Sequence, residues 1–375
     1  MHRRLRNVLQ RNFHFLEPTF VAGLLDDPVL LLRNHPFGDN LLFDCGQLHH
    51  LAKRILKRID TIFISHAHMD HFAGMTTLTR NILVAPKTVD LYGPAGLSER
   101  LEHLLAGFDW NLSEDFWCSF RVHEIDQNSV RHFLLPGPDR FRRRFEDETE
   151  RHDSIILRNR QLQVGTALCD HKIPSAIYRI DELPSFGLDP EKMASMRLAH
   201  GQWIQTFKDR FKQGELENGP LTVLVEADGA PQERLIDDVP AFYQQLKLEQ
   251  QPLSIGYVTD VGFTKENREK IGSLLHGIDL LICECSYIAA DVDKARESHH
   301  LCSTDLNQLM TELLPSCVMP IHLSKLYTDN CQQVLQELQP PDGCHLLQLP
   351  ERIVPRPLLP NEIPLPEIKP DRGND

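Results

Sequence analysis

Four side chains able to hold a metal ion crowd into six residues: His66, His68, Asp70 and His71, within TIFISHAHMDHFAGM at 61–75. The apolar run Ile62, Phe63, Ile64 just ahead of them reads as a buried strand, and Gly74 follows. Three imidazoles and a carboxylate at the mouth of a strand make poor core. They make a good donor set for a cation such as zinc, which takes nitrogen and carboxylate oxygen. Alternation along an extended chain points His66 and His68 to the same side. The chain must then turn, so Asp70 and His71 can face a second point nearby. This arrangement suits two metals rather than one, and two-metal sites suit the hydrolysis of phosphate esters. A polar loop with chance histidines would need all four to coincide at this spacing.

Elements on both sides must bring this stretch to a surface. FVAGLLDDPVLLLRN at 20–34 reads as a hairpin turning at Asp26, Asp27 and Pro28. NLLFDCG at 40–46 is a second buried strand, and 48–56 has helical spacing. Residues 73–82 read as a helix whose N-terminus points at the site, where its dipole favours anions. Residues 89–93 form a strand and 97–105 a helix. Strands also end at His171, Glu226 and Asp260. Short alternating strands and helices predict an α/β arrangement of sheets covered by helices.

SHAHMDHFAG is similar to the HxHxDH signature of the metallo-β-lactamase fold, and the chain resembles the ribonuclease Z branch through further segments in the same order. CDHKIPSAIYRI places His171 before Tyr178 and Arg179, with Ile177 where that branch has glycine. VTDV carries Asp260, DLLICECSY carries Glu284, and ESHHLCST offers His299 or His300. MPIHLSKLY carries His322. The resemblance implies a four-layer αβ/βα sandwich in one domain over residues 1–349, with a proline-rich tail at 350–375. It implies one divalent ion on His66, His68 and His171, and a second on Asp70, His71 and His322. Asp260 would bridge them, and Asp44 would orient the metal loop. Asp70 thereby belongs to the catalytic set, with His300, steadied by Glu284, acting at the leaving oxygen. Zinc is the default ion; manganese or iron would accept the same donors. The implied activity is that of a phosphodiesterase or endonuclease using a hydroxide stabilised by two cations. RNA is a possible substrate and a small diester or other small ester the alternative. A homodimer is also implied.

The chain has 375 residues, of which 41% are hydrophobic and 25% charged, enough for a sizeable core. A formal net charge of −13 argues against general nucleic-acid binding, since phosphate contacts need lysine and arginine. The main basic cluster, Arg140 to Arg144, is followed at once by the acidic 146–150, so it reads as a self-neutralising hairpin more than as a polyanion grip. The basic, Gly/Pro-rich arm with which transfer-RNA-processing members hold their substrate is not recognisable after residue 182. Nine cysteines, an odd number without a CxxC pair, read as reduced core residues of a cytoplasmic protein. No apolar run approaches the length of a membrane span. The N-terminal MHRRLRNVLQRNF is basic without the apolar segment of a secretion signal.

Overall fold

The computed structural model describes residues 13–34, 38–227 and 229–352. The basic N-terminal segment to residue 12 and the tail beyond residue 352 lie outside the described residues. The first half of the chain winds one sheet. β1 (Leu16–Phe20) and β2 (Leu30–Asn34) form a hairpin whose first arm lies ahead of the one expected within 20–34, with Asp26 to Pro28 inside a broader connection. β3 (Asn40–Phe43) and β4 (Ile59–Phe63) follow, then β5 (Thr88–Pro94), β6 (Ser119–Ile125), β7 (Ser129–Pro136) and β8 (Arg144–Glu150). These eight strands lie in chain order, with β3 to β6 parallel. Parallel strands need crossovers. α1 (Lys53–Leu56), α2 (Met69–Phe72), α3 (Gly74–Ile82) and α4 (Leu97–Ala106) occupy them. The helix expected over 48–56 is thus only its last turn.

The second sheet takes the rest. β9 (Ile155–Arg158), β10 (Leu162–Asp170) and β11 (Pro174–Glu182) form an antiparallel meander. A separate module comes next: α5 (Pro190–Ser195), α6 (Gln202–Gln213), β12 (Leu221–Val225), β13 (Gln232–Ile236) and α7 (Val239–Leu246). Its core of Trp203, Phe207, Val223, Phe242 and Tyr243 is its own, and β12 and β13 form a two-stranded sheet of their own. The chain then returns as β14 (Ser254–Val258), directly beside β11. α8 (Lys265–Leu275), β15 (Leu280–Glu284), α9 (Val292–Ser298), α10 (Ser303–Leu313), β16 (Cys317–Ile321), α11 (Gln332–Glu337) and β17 (His345–Leu346) complete a seven-stranded sheet in the order β17-β16-β15-β14-β11-β10-β9.

Strand alternation sorts the apolar side chains into layers. Leu41, Phe43 and Phe63 point inward onto Tyr178, Tyr257 and Ile282 of the other sheet. Leu42, Ile62 and Ile64 point outward under the helices of the first half. Val258, Leu281, Cys283 and Val318 do the same under α8 and α10. Burial on both faces is why these strands read as unbroken apolar runs. The result is the expected α/β sandwich of four layers. All nine cysteines are free, and eight are buried.

Two arginines of the basic cluster are paired within the hairpin or with the helix beside it. Arg143 faces Glu99 and Glu102, Arg144 faces Asp139, and Arg121 faces Glu146 of the exposed edge strand β8. Phe141, in the middle of that basic run, is fully buried and helps anchor the turn. Among the described residues no helix is long and apolar enough to cross a membrane.

Candidate metal centre

Each candidate ligand sits where a strand stops. β4 ends at Phe63 and delivers Ser65, His66 and His68; α2 carries Asp70 and His71. The turn between β10 and β11 carries His171. β14, β15 and β16, parallel neighbours, release Asp260, Glu284 and His322 at one edge of their sheet. Asp44, Asp260 and His322 adopt left-handed backbone conformations, with φ of 54°, 48° and 57°. Such non-glycine positions cost energy and persist where the surroundings over-determine them.

The sites predicted from sequence converge. Asp260 Oδ2 lies 3.4 Å from His71 Nε2 and 3.6 Å from both His66 Nε2 and His171 Nε2. Asp70 Oδ2 lies 3.6 Å from His71 Nε2 and 3.2 Å from His322 Nε2. His66, His68, His171 and Asp260 form one group of donors close enough to share an ion, and Asp70, His71 and His322 form another. The remaining Asp260 oxygen, Oδ1, is engaged by Thr259 Oγ1 at 2.9 Å and His322 Nδ1 at 3.0 Å.

A buried network sets the direction of two of these imidazoles. Asp44 Oδ2 accepts from His71 Nδ1 at 2.8 Å, Ser65 Oγ at 2.9 Å and Tyr257 Oη at 2.9 Å, while Oδ1 accepts from the Ser65 amide. Ser65 Oγ also lies 3.0 Å from His66 Nδ1. With both Nδ1 atoms engaged, the Nε2 lone pairs of His66 and His71 turn to the centre. There both atoms are buried without a hydrogen-bond partner. Two orphaned buried nitrogens around a shared carboxylate oxygen fit divalent cations, since buried polar atoms otherwise find partners.

Electrostatics agree with the packing. Burial and the neighbouring imidazoles drop His66 to about 2. Burial disfavours the charged form of Asp260, yet His322 and His71 hold it well below the usual carboxylate range. Burial also opposes a charge on His71, and Asp260 and Asp44 outweigh it, so its pKa rises.

His300 rather than His299 faces the centre. His300 Nδ1 contacts Glu284 Oε2 at 2.9 Å, and Ser286 Oγ holds the same oxygen at 2.7 Å. His299, left-handed at the end of α9, gives its carbonyl to His171 Nδ1 at 2.7 Å, with its ring 3.0 Å from Asp170. The cap of α10 is Cys302, in a capping box with Asp305, rather than the serine or threonine after it.

Three supports escaped the sequence. Ser65 and Tyr257 fix Asp44, and Asn267 fastens the His171 loop to the Asp260 loop through the Asp170 and Gly262 backbone. Only Ser65, beside the motif, carried any local signal.

Residues 39–158 match a family model described as a β-lactamase superfamily domain. By this match the chain resembles the metallo-β-lactamase superfamily. Within it the chain resembles the ribonuclease Z branch. It is 25% identical over 294 residues to a ribonuclease Z of Deinococcus radiodurans, covering 77% of this chain and 83% of that protein. It is 28% identical over 337 residues to a ribonuclease Z of Prochlorococcus marinus strain MIT 9312, covering 88% and 89%. A solved structure of human tRNase Z, short form, aligns over 90% of this chain and 98% of that one, with TM-score 0.48 and 16% identity. These sequence likenesses support a metal-dependent hydrolase.

Proposed function

We propose a binuclear metal-dependent phosphodiesterase similar to ribonuclease Z. His66, His68 and His171 would hold one divalent ion, Asp70, His71 and His322 the other, and Asp260 both. The observation that carries this reading is the pair of unbonded, buried Nε2 atoms of His66 and His71 around Asp260 Oδ2. When bound, two such ions would supply an ionised water at neutral pH and offset charge on the phosphoryl oxygens. The donors are nitrogen and oxygen only, so zinc, manganese and iron all suit them.

The rest is the chain's own work. Asp44 holds His71 in one tautomer, and the His299 carbonyl does the same for His171. Glu284 holds His300 by Nδ1, leaving Nε2 to carry a proton to the leaving oxygen. Burial alone would lower His300, but contact with Glu284 prevails and its pKa rises to about 9. Nearby divalent cations would push it back toward neutrality, where an acid is most useful. The expected outcome is that His300→Ala slows turnover of a small diester by about 100-fold or more with metal content unchanged. Unchanged turnover would remove His300 from the reaction.

The relatives' name favours RNA. A second reading, a small diester, is favoured by the inserted module, which has eleven acidic and seven basic side chains over 183–252, and by the pairing of Arg143 and Arg144 with carboxylates in the basic cluster. Precursor transfer RNA and bis(p-nitrophenyl) phosphate, assayed side by side at physiological salt, decide between them. Hydrolysis of neither would end the phosphodiesterase reading. Because the module is inserted between neighbouring strands, we treat the chain to residue 349 as one hydrolase domain. A homodimer completes the proposal: light scattering should give twice 43.1 kDa, and a mass of 43.1 kDa would refute it.

A further inference from the structure

Two cavities flank the tip of the β10–β11 hairpin at Ile173 and Pro174. The larger, about 740 Å³, is lined by none of the proposed ligands and carries Asp126, Asp153, Asp170 and Glu266. It also holds Arg151, Lys172 and Lys270: the Arg151 guanidinium donates to the carbonyls of Asp126, Asp153 and Thr166, and Lys270 pairs with Glu266 at 2.7 Å. The smaller, about 260 Å³, is shared by His66, His68, Pro94, Ile173 and Arg100. It contains no carboxylate side chain.

Arg100 lies there by construction. It belongs to the first turn of α4 and folds back so that Nη1 donates to Gly96 O at 2.9 Å. Gly96 has φ +88°, and a Cβ on it would stand 2.3 Å from that Nη1. Only glycine at 96 therefore allows both the turn and the guanidinium over it. The acids on the same helix, Glu99 and Glu102, are turned to Arg143. Among the described residues Arg100 has no ion-pair partner, and one carbonyl uses one of its five donors.

We propose that Arg100 is a specificity-determining residue that holds a second phosphate of the substrate, beside the one that is cleaved. The preferred substrate is then a nucleotide diester with a further phosphate on the flank that enters the smaller cavity. This rests on the phosphodiesterase reading above. A guanidinium suits that task because its planar fork meets a phosphate with two parallel hydrogen bonds.

Calorimetric titration tests this by binding, apart from turnover. The probes are dithymidine phosphorothioate and the same dinucleotide with an added 5′- or 3′-phosphate, on protein as purified with its metal content measured. Wild-type protein should bind one phosphorylated form about tenfold more tightly than the unphosphorylated one. Arg100→Ala should erase that preference, Arg100→Lys should keep part of it, and Arg100→Glu should reverse it. The slope of log affinity against log salt should fall by about 0.7 in Arg100→Ala, one phosphate contact on a single strand. A wild type without preference, or an Arg100→Ala variant that keeps it, overturns the proposal. Hydrolysis of bis(p-nitrophenyl) phosphate by the wild type, measured separately, reports on the phosphodiesterase reading itself.

Discussion

Asp44 touches no substrate-facing space, yet four buried donors converge on its carboxylate. Replacing it by alanine leaves those donors unpaired and frees the His71 ring to turn. Partners of metal-binding imidazoles typically matter 10–100-fold in metal affinity. We expect Asp44→Ala to lose metal to a competing chelator at about that lower level; an unchanged affinity would mean His71 needs no such partner. Gly74 is set by contact. A Cβ there would stand 2.2 Å from Gly46 O and 2.7 Å from Cys45 O, because the loop carrying Asp44 lies directly on the start of α3. Gly74→Ala should cost about 1–3 kcal/mol in a denaturant titration. Backbone carbonyls cannot rotate away as a side chain can, so a neutral result would show that α3 can slide. The donors of the motif were legible because they are close in sequence, and their types leave little other use. The partners of Asp44 were not, since Tyr257 reaches it across 213 residues of chain.

At the scale of elements, β6 and β7 place His123 directly opposite His132, with their Nδ1 atoms 2.7 Å apart. His123 also meets Asp90 of β5 at 3.0 Å, and His132 lies 3.1 Å from Thr149 and 3.8 Å from Asp147 of β8. Burial, and then the His123 ring, lower the pKa of His132, against the opposing pull of Asp147 and Glu146. Folded protein thus binds this proton more weakly than the unfolded chain does. The stability it contributes is intact above the unfolded value near 6.5 and is lost as pH falls below it. Thermal melts at pH 7.5 and 5.5 should therefore differ more for the wild type than for His132→Asn. Equal differences would show that the pair does not couple to folding. Neither strand is named by the sequence reading, and cross-strand pairing depends on register, which a single sequence does not state. The short α1 illustrates the same limit: Leu48, Leu51, Ile55 and Leu56 have helical spacing, yet Leu48 and Leu51 are placed by a loop.

Across the whole molecule, the ligands come from strand ends separated by up to 256 residues, from His66 to His322, and only the sandwich brings them together. The ordered motifs made that architecture legible. The module at 183–252 was not, because its segments resemble ordinary helices and strands, and nothing local says that they form a core of their own. Its position between the neighbours β11 and β14 leaves the strand order around the metal centre undisturbed. Its acidic balance points away from a general polyanion grip, so selectivity would fall to groups near the cleft such as Arg100.

If seven side chains hold two ions with Asp260 between them, metal content must depend on Asp260. Elemental analysis of protein purified without chelator tests it most directly, with Asp260→Ala prepared in parallel. The expected result is about two divalent transition-metal ions per chain in the wild type and a clear loss in the variant. A wild type with no such metal, or an Asp260→Ala variant that retains two ions, would contradict it.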